Sequence, residues 1–285
     1  MRCDVLRQRE GASFAVLTLW YSQDDRFDVE LVTPFGQALA VPTAGNSDVY
    51  SSTNVDLELA RRRYRWSRAL QVQITLSFKG AMIPDRLLAG WQLRIACRRA
   101  RVGRIDGWVN NSGFARFAEH PLVETARTVG LPATGEGCLA VASYVSRADW
   151  QSDDGAQQDL RVLAGRSSPF SSRGPTRDGR HKPDLAAPGQ YVTAALADLS
   201  ALAGWPARAS VDQRLVTIEG TSMAAPVVAG ALALLLQRDP ALTPEQARTI
   251  LGSSARHDGH TGQGPWTPSY GHGKLDVAAL LAPIA

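Results

Sequence analysis

The chain has 285 residues, with 31 basic and 27 acidic side chains for a formal charge of +4, and is 44% hydrophobic and 20% charged. That balance excludes disordered, collagenous and coiled-coil chains, and the length suits one large domain or two moderate ones, each able to bury a core. Cys3, Cys97 and Cys138 are odd in number and lack metal-ligand spacing, so they read as buried or incidental thiols and no cofactor or metal is expected.

Only Lys79, Lys182 and Lys274 are lysines among the basic residues, a bias that makes the net charge weak ground for an anionic partner. No signal peptide is read at the start, where Arg2, Arg7 and Arg9 mix with Asp4 and Glu10 and no small-residue cleavage site follows Phe14 to Tyr21. The compartment therefore stays open. The longest apolar stretch, Ala224 to Leu236, falls short of the roughly 20 residues needed to span a bilayer and contains Pro226, so no membrane-spanning segment is expected.

Taken in order, the first hundred residues alternate in period two. Ser13 to Tyr21 and Asp28 to Thr33 are strand candidates, followed by Val55, Leu57 and Leu59 alternating with acids. Leu70 to Phe78, Trp91 to Ile95 and Ile105 to Val109 continue the pattern, with turn signals such as Thr33-Pro34-Phe35-Gly36 between runs. Short amphipathic strands without intervening helices predict an antiparallel β-sandwich, jelly-roll-like, over residues 1–115. From about residue 116 to 285 the pattern is α/β. Cys138 to Tyr144 reads as a strand covered on both faces, Arg214 to Ile218 as a short strand, and Thr221 to Gln237 as a helix apolar all round. Thr243, Pro244, Glu245 and Gln246 spell a capping box opening a helix to about Leu251, and Leu275 to Ala282 a last helix.

The chemistry centres on Gly220-Thr221-Ser222-Met223-Ala224-Ala225-Pro226, where a strand ends, glycine permits a tight turn and a serine opens a helix. A hydroxyl there sits beside unpaired N–H groups and the positive end of the helix dipole, which suits an attack that generates an oxyanion. A lone serine in this place would be an N-cap. The segment, however, resembles the active-site serine motif of the subtilisin-like serine proteases, the subtilases, and four further segments match in order. These are Pro132-Ala133-Thr134 with the following strand, Ser171-Ser172-Arg173-Gly174-Pro175, Lys182-Pro183-Asp184-Leu185-Ala186-Ala187-Pro188-Gly189, and Gly271-His272-Gly273-Lys274-Leu275-Asp276.

The resemblance implies a serine endopeptidase in which Ser222 is acylated by a peptide or protein substrate, on the serine-side half of a subtilisin-like parallel-sheet domain. It also implies a histidine base oriented by an aspartate, in His-Gly-Thr and Asp-Ser/Thr-Gly settings, neither of which occurs. His120, His181, His257, His260 and His272 read as surface or loop residues. Ala44-Gly45-Asn46 has the residues of the family's second oxyanion donor but lies in a turn-rich stretch and reads as turn chemistry. Val227 stands where many members carry a histidine outside the triad. Residues 1 to about 115 resemble the jelly-roll insertion of some bacterial members, which would put Met1 just beyond the oxyanion asparagine. A separate N-terminal half carrying Asp and His is then an expected partner, and an inactive relative or remnant acting as a binding module is the alternative. The runs Arg61 to Arg68 and Arg98 to Arg104 read as solvated loops, with neither nucleic acid nor membrane expected as a partner.

Overall fold

The computed structural model describes residues 2–5 and 157–159 in backbone, and 14–79, 87, 89–110, 115–151, 161–197, 200 and 214–282 throughout. Ser13, the first residue of a predicted strand, lies outside them. Two compact units follow one another, Met1–Glu124 and Thr125–Ala285.

The first unit is built from two five-stranded antiparallel sheets. One has the order β5 (Ser47–Ser51), β6 (Val55–Tyr64), β7 (Ala69–Phe78), β2 (Phe14–Ser22), β9 (Ile105–Asn110). The other runs β10 (Ala115–Phe117), β1 (Arg2–Val5), β8 (Trp91–Arg99), β3 (Arg26–Val32), β4 (Ala38–Ala40). Alternate side chains of facing strands make one core: Leu17, Leu19 and Tyr21 from β2, Val72, Ile74 and Leu76 from β7, and Val29, Leu31, Trp91 and Leu93 from the second sheet. Each large apolar side chain removed from water contributes about 1.5–3 kcal/mol before chain entropy is subtracted, so these alternations hold the unit together.

The predicted strands of this unit are all present, and all but β2 are longer than their periodic stretches. Strand β6 continues through the arginines to Tyr64 because Arg61, Arg62 and Arg63 pair in register with Val72, Gln71 and Leu70. Strand β5, exposed throughout, has no apolar alternation to announce it and forms only by pairing with β6. Ala44-Gly45-Asn46 lies in the turn before it, with Gly45 at φ +98° and Asn46 Nδ2 donating to Thr43 Oγ1 at 3.0 Å.

The second unit carries the parallel pair β11 (Val141–Val145) and β14 (Leu185–Gln190), the small antiparallel pairs β12 (Asp149–Gln151) with β13 (Gln157–Asp159) and β15 (Val192–Ala195) with β16 (Leu215–Ile218), and, among the described residues, three helices. These are α1 (Thr221–Arg238), α2 (Pro244–Ser253) and α3 (Val277–Leu280). Thr243 caps α2 with the full capping box, and the helix runs through Gly252, two residues beyond the predicted end. Helix α3 is shorter than expected because Leu275 N–H is drawn into an extended bond to Ala186 O (2.8 Å), leaving Asp276 to cap at Ala279 N–H. Helix α1 buries only Ala224, Val228, Ala231 and Leu235, a single stripe against β14, α2 and α3; the prediction of burial on every side does not hold in this chain. By length and composition α1 is apolar enough to cross a bilayer, with 22% of it buried.

Asp25, 3% exposed in the turn between β2 and β3, accepts N–H bonds from Arg101 (2.6 Å), Val102 (2.8 Å) and Gly103 (3.0 Å). Burial opposes its charge, but these donors outweigh it and hold the carboxyl below the usual aspartate range. The stabilisation is full above the unfolded-state value near 4 and is lost as pH falls through the lower folded value. Asp25→Asn should therefore lower the thermal midpoint more at pH 7 than at pH 3, as read by calorimetry.

Candidate active site

Strand β14 is the element on which the motifs converge. At its start Asp184, 6% exposed, accepts from Lys182 Nζ (2.7 Å) and Ala140 N–H (2.7 Å) through Oδ2, while Oδ1 faces Arg248 Nε of α2 at 3.2 Å. Lys182 Nζ also donates to Cys138 O (2.6 Å), and Arg248 reaches Glu136 O (2.9 Å). One carboxylate thus ties the loop before β11, the start of β14 and helix α2. Along β14 the register with β11 is parallel, Val141 opposite Leu185 and Ser143 opposite Ala187. On the other side the glycine-rich segment pairs with it: His272 N–H donates to Asp184 O and Ala186 N–H to Gly273 O, each at 2.8 Å.

The serine-arginine-glycine segment braces the back of β11. Ser171 Oγ accepts Ser143 N–H (3.0 Å), Arg173 Nε donates to Ser269 Oγ (2.9 Å), and Arg173 N–H to Thr128 Oγ1 (2.7 Å). Lys274 is 1% exposed, with Nζ 2.6 Å from Asp258 and 4.8 Å from the centre of the Tyr144 ring. Burial disfavours the charge on Asp258, yet Lys274 and the His260 N–H prevail and keep its carboxyl below the ordinary range.

The far end of β14 sets Ser222. Gly220 N–H donates to Gly189 O at 2.8 Å, and Gly220 adopts φ +151°, a conformation L side chains rarely take. At Gly189 a Cβ would collide with Ser143 Oγ and lie 2.9 Å from Ala224 Cβ, so only glycine lets α1 seat this closely on the strand. Ser222 then falls in the first turn of α1, exposed, where the Met223 N–H is taken up by Gly220 O (2.9 Å) and no acidic side chain offsets the dipole. Among the described residues its side chain has no hydrogen-bond partner. It heads a stripe of exposed residues on one helix face, Ala225, Pro226, Ala229, Ala233 and Leu236. Val227 is half-buried against the core cluster of the same helix.

None of the five histidines is hydrogen-bonded to Ser222 among the described residues. His181 stacks on Trp266 with ring centres 4.4 Å apart, His272 Nδ1 lies 2.8 Å from Pro265 O, and His120 Nδ1 accepts Leu122 N–H. His260 takes part through its N–H to Asp258. Pro132-Ala133-Thr134 forms a turn closed by Thr134 N–H to Gly130 O at 3.2 Å. Cys97 and Cys138 are exposed free thiols, so burial does not account for them. The described residues contain no cluster of His, Cys, Asp and Glu able to hold a metal ion. Sequence reading missed Arg248 as a partner of the Asp184 cluster, since nothing in a helix-surface arginine signals which carboxylate it will meet.

Residues 110–273 match the family model described as the subtilase family. This chain belongs to the subtilases. The serine protease AprX of Bacillus subtilis (strain 168) is 32% identical to it over 126 residues, 44% of this chain and 26% of that protein. An uncharacterized protein of Aquifex aeolicus (strain VF5) is 34% identical over 152 residues, 52% of this chain and 65% of its own. The CspB protease of Clostridium perfringens matches in fold, with a TM-score of 0.66 at 23% identity over 99% of this chain and 54% of that one. The subtilase chain thus spans about a quarter of AprX, about two thirds of the Aquifex protein and about half of the CspB structure.

Two substitutions check this construction. Asp184→Asn leaves Lys182, whose side chain is 6% exposed, as an uncompensated buried cation and should cost about 3–5 kcal/mol in denaturant unfolding. Gly189→Ala should cost about 1–3 kcal/mol by forcing α1 away from β14.

Proposed function

We propose that this subtilase chain is the serine-bearing part of a subtilisin-like endopeptidase, with Ser222 as the nucleophile that forms the acyl-enzyme. The observation that carries the reading is the placement of Ser222. A turn bonded to the end of β14 delivers it, exposed and unpaired among the described residues, to the first turn of an 18-residue helix. Its Oγ would attack the peptide carbonyl, its proton passing to a histidine base, and the oxyanion would collect at the first-turn N–H groups, the Ser222 N–H among them. On this reading residues 116–285 are the serine side of the peptidase domain. Residues 1–115 are the jelly-roll insertion of some bacterial members, a view supported by the two antiparallel sheets with a shared core.

The histidine base and its aspartate are supplied, in this proposal, by a polypeptide segment outside residues 1–285. What supports it is the stripe headed by Ser222, which is apolar and bare. The stripe is also made of small residues, which suit close packing against another element. An inactive relative that binds without cleaving is the second reading, favoured by the absence, among the described residues, of any histidine bonded to Ser222.

The two readings separate in one experiment. The full chain alone should label weakly with a fluorophosphonate, because in subtilisin itself loss of the catalytic histidine costs on the order of a millionfold in turnover. Co-expressed with the upstream half of a related subtilase, ending at its oxyanion asparagine, the chain should form a soluble complex in which Ser222 labels, and Ser222→Ala should keep the complex while losing the label. No complex and no labelling would leave the inactive relative standing.

A further inference from the structure

Asp24 and Asp25, neighbours in the turn between β2 and β3, each fasten a different loop. Asp24 pairs with Arg68 at 3.2 Å while Gln23 N–H donates to Arg68 O at 2.9 Å, which fixes the hairpin joining β6 and β7. Asp25, through the three N–H bonds already described, fixes the loop joining β8 and β9. Strand register puts both at one end of the same sheet: Tyr64 lies opposite Ala69, Ala69 opposite Ser22, and Tyr21 opposite Ile105. The two arginine runs, read as separate solvated loops, are therefore a single surface.

Two properties of that surface go together. Arg62, Arg65, Arg99 and Arg101 are exposed and have no carboxylate partner among the described residues, whereas Arg68 and Arg104 are paired with Asp24 and Asp106. At the two loop tips stand apolar side chains held fully or largely in solvent, Trp66 at 102% and Val102 at 62% exposure, each next to an arginine. Trp66 alone could stack on a base, but the aliphatic Val102 tip offers nothing to a base or a phosphodiester backbone, which argues against nucleic acid. An apolar apex with guanidinium groups one residue behind is instead complementary to an anionic phospholipid bilayer. There tryptophan settles at headgroup depth, and arginines near the surface are attracted to the negative potential. Because Asp24 and Asp25 hold the loops in place, little conformational freedom remains to be lost on binding.

We propose that this end of the β unit docks on the surface of an anionic phospholipid bilayer, with Trp66 and Val102 entering the headgroup layer and the neighbouring arginines on lipid phosphates. The test is density-gradient flotation of the full chain, in which aggregated protein sinks and bound protein rises. The chain should float with mixed phosphatidylcholine–phosphatidylglycerol vesicles, not with phosphatidylcholine alone, and raised salt should weaken the association. Arg65→Ala and Arg101→Ala should each lower the partition coefficient about fivefold, and Trp66→Ala about tenfold. All three side chains are exposed, so the thermal midpoint should not move. Phe35→Ala, 63% exposed at the opposite end of β3, should leave flotation unchanged. Absence of flotation, equal flotation with neutral vesicles, or flotation indifferent to Trp66→Ala would overturn the proposal. So would binding of a single-stranded oligonucleotide that depends on Arg65 and Arg101 while vesicles are ignored.

Discussion

The buried carboxylate of Asp184 is the constraint from which the second unit takes its form. Removing a charge from water is costly, so it is tolerated here only because a lysine, an arginine and a backbone N–H converge on its two oxygens. Those partners come from three different parts of the chain, the loop before β11, the residue two positions upstream and the surface of α2. Satisfying one group therefore fixes the start of β14 relative to its neighbours. From that fixed start the strand runs to its fifth residue, Gly189, against which α1 is seated. The position of Ser222 is in this sense dictated from the opposite end of a strand.

The same logic of one acidic group ordering distant chain recurs in the β unit, with a different balance. Asp25 is satisfied by backbone N–H groups and not by a cation, so it orders a loop without neutralising the arginines that loop carries. Their charge stays available at the surface. Asp184, by contrast, is faced by two cations, Lys182 and Arg248, and its single charge offsets one of them.

Legibility in the sequence followed burial. Strands β2, β6 and β7 could be read because one wet and one dry face write a period of two into the residues, and the capping box of α2 because its donors and acceptors lie within four positions. What depended on partners elsewhere in the chain was not readable. Strand β5 exists only as an edge added to β6, the extended pairing of Leu275 shortens α3, and nothing local assigns Arg248 to Asp184. Helix α1 shows the opposite case, since its composition reads as burial on all sides while this chain covers one stripe. At the candidate site, the serine motif and its supporting segments were legible as words. Their convergence on β14 was not, because it is made by hydrogen bonds between residues far apart in the chain, such as Asp184 with His272 and Ala186 with Gly273.

That bare face of α1 has a mechanical corollary. Ser222 and the uncovered residues Ala225, Pro226 and Ala229 occupy neighbouring turns of one rigid rod, with about 5.4 Å between turns. Anything seated on the rod would be felt at the Ser222 hydroxyl without an intervening hinge, because both lie on one continuous helix. As long as the stripe is bare, the Ser222 hydroxyl and the apolar face behind it meet solvent together.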